Sequence, residues 1–300
     1  MANGRFAPSP SGPLHLGNLR TAMLAWLFAR STRGRFAMRV DDLTTGAAPV
    51  AETGQLDDLA ALGLDWDGQV TRQSEHTERY REALARLDER DLTYPCFCSR
   101  REIREAGVAP HGEGDLRPYP GTCRTLGAAE RARRADRRPP ALRLNAGAAE
   151  VAVEDALLGS LTRTVDDFVL RRGDGVAAYN LAVVVDDAAE GVEQVVRGAD
   201  LWTSTPRQVL LGRLLGLRIP TFAHVPLVLG PGGERLAKRD GAVTLADRRA
   251  LGESPAQVRS MLAASLGLAG PAEQATMAQL LTRFDPAALP SQPWVFDPGG

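Results

Sequence analysis

Pro8-Ser9-Pro10-Ser11-Gly12-Pro13-Leu14-His15-Leu16-Gly17-Asn18 separates two runs of different character. Before it, Arg5-Phe6-Ala7 reads as a short strand. After it, Leu19, Met23, Trp26, Leu27 and Arg30 recur at helical spacing, with Ala22, Ala25 and Ala29 in the same helix. The order is strand, Pro/Gly loop, helix, and Asn18 is a good N-cap for a helix starting at Leu19. Such a loop turns backbone N–H groups and the positive end of a helix dipole toward whatever lies above it, which suits an anion such as a triphosphate. An imidazole at His15 can donate hydrogen bonds to oxygens that gain charge. Gly17 lets a flat base approach the backbone closely. A Pro/Gly turn with an incidental histidine satisfies the local pattern equally well.

Residues 35–40 read as a second strand, completing a βαβ unit. Asp41 and Asp42 follow at its carboxyl end, where ligands bind in open parallel sheets. Leu56, Leu59, Leu62 and Leu64 mark a helix stopped at Gly63, and Tyr80, Leu84 and Leu87 the next. Residues 99–150 are loop-rich, with Pro110, Pro118, Pro120, Pro139 and Pro140. Strands are expected at 151–153, 194–197 and 221–225, and a buried central strand at 180–185. Thr205-Pro206 opens a helix, cap followed by proline. Ser254-Pro255 opens another with Val258, Leu262 and Leu266, and Met277, Leu280, Leu281 and Phe284 mark a last one. The fold class is therefore α/β: a Rossmann-type parallel-sheet nucleotide-binding domain, interrupted by an inserted subdomain and followed by a short helical C-terminal region. The expected segments are 1–95 and 179–246 for the two halves of the sheet domain, 96–178 for the insertion, and 247–300 for the helical tail.

A chain of 300 residues suggests about two domains. No run approaches the ~20 apolar residues of a membrane span, and the N-terminus enters a strand directly, without a signal peptide. Three cysteines, an odd number, argue against a disulfide framework and fit a cytosolic chain. A net charge of −1 gives no global basic field, so a nucleic-acid partner would be held by local patches. Of the 36 basic residues, 35 are Arg and one is Lys, at position 238.

Cys96, Cys98 and Cys123 cluster with thiolate-ligand spacing, as in a closed zinc site. A fourth ligand is needed, and His111 is the nearest choice by residue type. A bound metal would staple an insertion with little core of its own. Downstream, Arg124, Arg131, Arg133, Arg134, Arg137, Arg138 and Arg143 form the densest basic run, either a phosphate-binding patch or a solvated face.

The stretch from Pro8 to Asn18 resembles the HIGH signature of class I aminoacyl-tRNA synthetases in the form of the glutamyl branch, which starts as Arg5-Phe6-Ala7-Pro8-Ser9-Pro10 does here. Glu234-Arg235-Leu236-Ala237-Lys238-Arg239, after Gly230-Pro231-Gly232-Gly233, resembles the KMSKS loop of the same class. Arg235 replaces its first lysine and Ala237 its serine, while Lys238 matches the second lysine. A loop bearing an ammonium can close on phosphates as a reaction proceeds. The resemblance implies ATP with Mg2+, with His15 and Lys238 catalytic and Pro8, Ser9, His15, Gly17, Asn18 and Lys238 at the nucleotide. It implies L-glutamate held by Arg5, Phe6, Ala7, Pro8, Ser9, Asp41, Tyr179 and Arg197. Asp41 matches a family glutamate and is one methylene shorter. Tyr119-Pro120-Gly121-Thr122-Cys123 matches the family's tyrosine–cysteine pair, which makes the Tyr119 phenol the fourth ligand of Zn2+ in place of His111.

Full glutamyl synthetases continue into a helical anticodon-binding half that this chain is expected to lack. A short chain with Cys-x-Cys and Tyr-x-x-x-Cys resembles the glutamyl-queuosine tRNA(Asp) synthetases. That family activates glutamate with ATP and places it on queuosine at the wobble position of tRNA(Asp). The implied protein is a cytoplasmic monomer with no membrane partner. A splayed anticodon-loop base is a normal target for protein recognition. A truncated glutamyl-tRNA synthetase acting on the acceptor end, and an inactive tRNA-binding paralogue, remain open alternatives; Arg235, Ala237 and Asp41 keep the second in play.

Overall fold

In the computed structural model, which describes residues 1–43, 49–99, 102, 119–236, 240–270 and 272–297, strand β1 (Gly4–Phe6) runs parallel to β2 (Phe36–Val40), with Arg5 opposite Ala37. Helix α1 (Leu16–Ser31) connects them and is buried on nearly every side, from Leu16 and Leu19 round to Trp26 and Phe28. A helix apolar all round belongs in the middle of a fold. It starts three residues earlier than the Asn18 cap predicts. His15 is the N-cap, and Asn18, at the third helical position, closes a capping box with it. The cap chemistry of Asn18 is used, but in reverse, from inside the first turn.

Strand β3 (Thr71–Arg72) adds in parallel to β2, after α2 (Pro49–Ala61). Helix α3 (Thr77–Asp88) leads into β4 (Thr93–Cys96). Strands β4, β5 (Ala141–Leu144) and β8 (Val169–Arg171) make a small antiparallel sheet. Helix α4 (Ala128–Ala135) is solvated and buries no residue. A third sheet has the order β7-β6-β10-β9, from β6 (Glu150–Asp155), β7 (Gly159–Thr164), β9 (Gln194–Gly198) and β10 (Thr221–Val225). β6, β10 and β9 are parallel, and β7 folds back on β6 as a hairpin. The amides of Glu193 and Gln194 both donate to the Asn3 carbonyl, at 2.8 and 3.0 Å, which sets β9 beside β1. Hairpin β6–β7, inside the expected insertion, thus extends the sheet that carries β9.

The expected strand at 180–185 is instead part of helix α5 (Tyr179–Ala189). Leu181, Ala182 and Val185 fall on one face and pack into the core with Leu87 of α3 and Leu211 of α6 (Thr205–Leu214). The run Val183-Val184-Val185 favours a strand, and tertiary packing overrides it. The cap of α6 is Ser204, with Thr205 already helical, so the Thr205 hydroxyl is free for another task.

The C-terminal region holds α7 (Leu245–Ala250), α8 (Pro255–Ala264) and α9 (Met277–Arg283), opened by capping boxes at Thr244, Ser254 and Thr276. A short parallel pairing of β11 (Val228–Leu229) with β12 (Trp294–Val295) follows. Arg20, buried in α1, ties this region down by donating to Pro226 O at 2.9 Å and to Ser265 Oγ at 3.0 Å. No helix among the described residues is long and apolar enough to cross a membrane.

Candidate active site

The loop after β1 is held from both sides. The Asp41 amide donates to Pro8 O at 2.9 Å, and Gln55 of α2 donates to Ser9 O at 3.0 Å and Gly12 O at 2.6 Å. On the far side, the Leu16 amide donates to Val243 O at 2.8 Å. Gln55 is buried and was not singled out by sequence; a glutamine on an amphipathic helix gives no signal of its own.

His15 Nδ1 accepts from the Asn18 amide at 3.3 Å, and Asn18 Oδ1 accepts from the His15 amide at 3.2 Å. Burial, and secondarily the charge of Arg235, lower the imidazole pKa; Asp200 opposes them. With Nδ1 used as an acceptor, the neutral ring carries its proton on Nε2. Gly17 makes room for this ring, since a Cβ there would lie 2.9 Å from His15 Cε1. His15, Gly17, Asn18, Gly198, Leu227 and Val228 line a cavity of about 170 Å³. An adjoining cavity of about 710 Å³ is lined by Arg5, Phe6, Ala7, Pro8, Ser9, His15, Asn18, Asp41, Tyr179 and Arg197, so most of the predicted site residues share one space. It lies at the carboxyl ends of β1, β2 and β9, the ligand side of an open parallel sheet.

Under this space lies a buried charge network. Arg5 makes a two-pronged pair with Asp187, at 3.1 and 3.3 Å. Arg39 reaches Asp41 at 2.8 Å, Asp187 at 2.7 Å and Glu190 at 3.0 Å. Burial raises the Asp41 pKa, more than Arg39 and Arg5 lower it. Asp187 moves the other way: burial opposes ionisation there, and two arginines outweigh it. Arg39 and Asp187 were missed from sequence because the pairs that join Asp187 to Arg39 and to Arg5 span 148 and 182 residues.

Arg197 is also buried, but no carboxylate pairs with it among the described residues. Its Nε donates to His224 Nε2 at 3.0 Å, and its terminal nitrogens to Gln208 Oε1 at 2.7 Å and Thr205 Oγ1 at 2.8 Å. Burial lowers its pKa. Tyr179 opens α5 and is 44% exposed, so its phenol is within reach of a ligand.

Cys96, Cys98 and Cys123 bring their sulfurs within 4.8 Å of one another. The Tyr119 hydroxyl stands 3.4 Å from Cys96 Sγ and 3.6 Å from Cys98 Sγ, and accepts the Cys123 amide at 2.9 Å. Tetrahedral Zn–S bonds of about 2.3 Å put sulfurs about 3.8 Å apart, close to the 3.5 Å between Cys98 and Cys123. The three sulfurs and one phenol oxygen therefore fit a zinc ion. The Arg143 guanidinium covers the Tyr119 ring at 3.7 Å. His111, the other fourth ligand considered, lies outside the described residues. Of the basic run, Arg124 and Arg143 are tied to Asp167, while Arg133 and Arg134 pair with Glu130.

In the second signature, Arg235 pairs with Asp200 at 2.9 Å and Leu236 is buried. Ala237 and Lys238 lie outside the described residues.

Comparison with known proteins places this geometry. The family model of class I tRNA synthetases (E and Q), catalytic domain, matches residues 2–298. A solved glutamate tRNA ligase from Elizabethkingia meningosepticum, in complex with its amino acid, superposes with a TM-score of 0.83 at 27% identity, covering 99% of this chain and 67% of that one. Fold and site thus define a class I tRNA synthetase catalytic domain. The glutamyl-Q tRNA(Asp) synthetase of Nocardia farcinica is 58% identical over 99% of this chain and 94% of its own. The enzyme of that name from Symbiobacterium thermophilum is 49% identical over 98% and 95%. The chain belongs to the glutamyl-Q tRNA(Asp) synthetase family.

Proposed function

We propose that this chain activates L-glutamate with ATP as glutamyl-adenylate and transfers the glutamyl group to queuosine at the wobble position of tRNA(Asp). The observation that carries this is one cavity lined by His15 and Asn18 together with Asp41, Tyr179 and Arg197, in a chain 58% identical to a glutamyl-Q tRNA(Asp) synthetase.

In this reading the glutamate α-carboxylate attacks the α-phosphorus of ATP, and pyrophosphate leaves with its Mg2+. The His15 Nε2–H donates to the phosphates beside the N-terminus of α1, where charge grows as the bond breaks. Gly17, Pro8 and Ser9 border the nucleotide. Arg197 offers its remaining N–H groups to the glutamate side-chain carboxylate, Tyr179 adds a hydroxyl, and Asp41 takes the α-ammonium. Arg5, Phe6 and Ala7 form the strand end under the amino acid. Arg5 pairs through Nε and Nη2 with Asp187, and its Nη1 remains for the amino acid. Lys238 supplies a cation to the leaving pyrophosphate.

Cys96, Cys98, Cys123 and Tyr119 are proposed to hold one Zn2+, which would staple the segment between β4 and α4. The segments 1–95, 96–178, 179–246 and 247–300 are proposed to serve as half-domain, insertion, half-domain and tail. The enzyme is proposed to act as a cytoplasmic monomer, in line with its odd number of cysteines.

Glutamate-dependent ATP–pyrophosphate exchange tests activation, and analysis of the charged tRNA tests transfer. A glutamyl ester on the wobble base is expected. One on the terminal ribose would make the chain a short glutamyl-tRNA synthetase, and no exchange at all would favour an inactive paralogue.

A further inference from the structure

Asp155, His224 and Arg197 lie in a line across three adjacent parallel strands, β6, β10 and β9, with His224 in register with Arg197. Asp155 is heavily solvated by backbone: Oδ1 accepts the Leu157 and Leu158 amides at 2.9 Å each, and Oδ2 the His224 amide at 3.0 Å. Its Oδ2 also lies 2.6 Å from His224 Nδ1. Burial works against ionisation of Asp155, yet these bonds outweigh it and lower its pKa. An ionised carboxylate only accepts, so His224 Nδ1 carries the imidazole proton. Burial keeps the ring neutral, its pKa lowered although the Asp155 bond raises it. Nε2 is then an acceptor, 3.0 Å from Arg197 Nε–H and 3.1 Å from the Thr205 hydroxyl, which also reaches Leu201 O at 3.2 Å.

The two other buried site arginines, Arg5 and Arg39, meet carboxylates directly. At Arg197 an imidazole stands between cation and carboxylate, and none of the remaining acceptors, Gln208, Thr205 and the Tyr179 hydroxyl, is a carboxylate. Three bonds fix the plane of the guanidinium without cancelling its charge, and leave one N–H on each terminal nitrogen outside them. We propose that Asp155 and His224 are a positioning pair that orients Arg197 while preserving its charge, and that they thereby set the preference for a side-chain carboxylate over a neutral amide. This rests on the reading that Arg197 meets the glutamate side chain. A glutamine amide would turn an NH2 donor toward N–H donors and bring no charge.

The test is pyrophosphate exchange with the full chain, measuring KM and kcat for L-glutamate and L-glutamine. In Asp155→Asn the amide NH2 faces Nδ1, moves the ring proton to Nε2 and opposes two donors at Arg197. The L-glutamate KM should rise roughly 10- to 100-fold, the effect of one hydrogen bond to a charged group. The preference over L-glutamine should fall by a similar factor, with kcat and the ATP KM changed only about twofold. His224→Gln supplies an amide oxygen as an acceptor that does not depend on Asp155. Adding Asp155→Asn to it should raise KM little further, a non-additivity that a merely structural carboxylate would not give. If Asp155→Asn does not fold, His224→Phe against His224→Gln carries the test, with Phe expected to raise the L-glutamate KM at least about tenfold over Gln. A wild-type KM and selectivity in Asp155→Asn, or equal losses for ATP and glutamate, would overturn the proposal. Arg197→Gln separates the two layers. If it too leaves the L-glutamate KM unchanged, the placement of Arg197 has failed; if it alone raises KM, only the positioning pair has.

Discussion

His15 and Asn18 hold each other across the first turn of α1, imidazole Nδ1 to amide at 3.3 Å and amide oxygen to amide at 3.2 Å. One side chain thus caps the helix and presents Nε2–H to the cavity. The two roles separate in His15→Asn, because asparagine is among the best N-caps and lacks the Nε2 donor. Thermal stability should stay within about 1 kcal/mol of wild type, while adenylation kcat falls roughly 10²-fold or more. His15→Ala should lose both. Stopped-flow adenylation with parallel unfolding curves decides it; a kcat near wild type in His15→Asn would assign the histidine to capping alone.

One zinc per chain is expected by elemental analysis of fully reduced protein, and none in Cys98→Ser. Tyr119→Phe keeps three thiolates but leaves the Cys123 amide without the phenol oxygen it reaches at 2.9 Å. It should bind zinc and lose it to a chelator faster than wild type. Zinc retention in Tyr119→Phe equal to wild type would return the fourth position to another ligand, His111 first.

Lys238→Arg should lower adenylation kcat roughly 10²-fold, since a compact ammonium and a planar fork place charge differently on a leaving pyrophosphate. Transfer from preformed adenylate should change less, because pyrophosphate has already left. Single-turnover measurement of the two half-reactions is the check, and equal rates in both would make the lone lysine an accident of composition.

The βαβ unit and the cysteine cluster were legible because each is local: a helical repeat after a Pro/Gly loop, and thiols at ligand spacing. The helix at Tyr179–Ala189 was not. A short apolar run with three consecutive valines has no period that separates strand from helix; only its packing on α3 and α6 does. The charge network was invisible for a different reason. Arg5 meets Asp187 across 182 residues, and His224 meets Asp155 across 69. Buried pairs of that kind carry no local pattern. Of the residues to which the family resemblance pointed, Arg5, His15, Asp41, Tyr179 and Arg197 border the cavity; the resemblance did not point to Asp187, Asp155 or His224 behind them.

His224 should contribute to acid sensitivity. Its folded pKa is lowered, chiefly by burial, from 6.5. The unfolded chain therefore binds a proton more readily, and stability rises with pH through that range. The contribution is fully present above the unfolded value and is lost as pH falls from there toward the folded one. His224→Gln should show a smaller drop in Tm than wild type between pH 7 and pH 5. An identical drop would mean that other groups account for the acid limb.

Asp41 carries the opposite sign. Burial raises its pKa above the ordinary 3.8 despite Arg39 at 2.8 Å. The folded carboxyl then holds its proton more tightly than the unfolded one. Stability from this group is fully present below the unfolded pKa and declines as pH rises through the folded value. Once ionised, Asp41 is a charge that the fold holds at a cost, as expected of a group kept for a ligand's ammonium. Asp41→Asn, nearly the same in shape, should leave Tm at pH 7 equal or higher. It should raise the L-glutamate KM roughly 10- to 100-fold, the effect of one charge-assisted bond, with the ATP KM little changed. Substrate titrations in pyrophosphate exchange, run beside thermal unfolding of the same preparations, read both quantities. A collapse of ATP affinity would move Asp41 to the nucleotide or its Mg2+, and a large fall in Tm would make the Arg39–Asp41 pair a structural brace first.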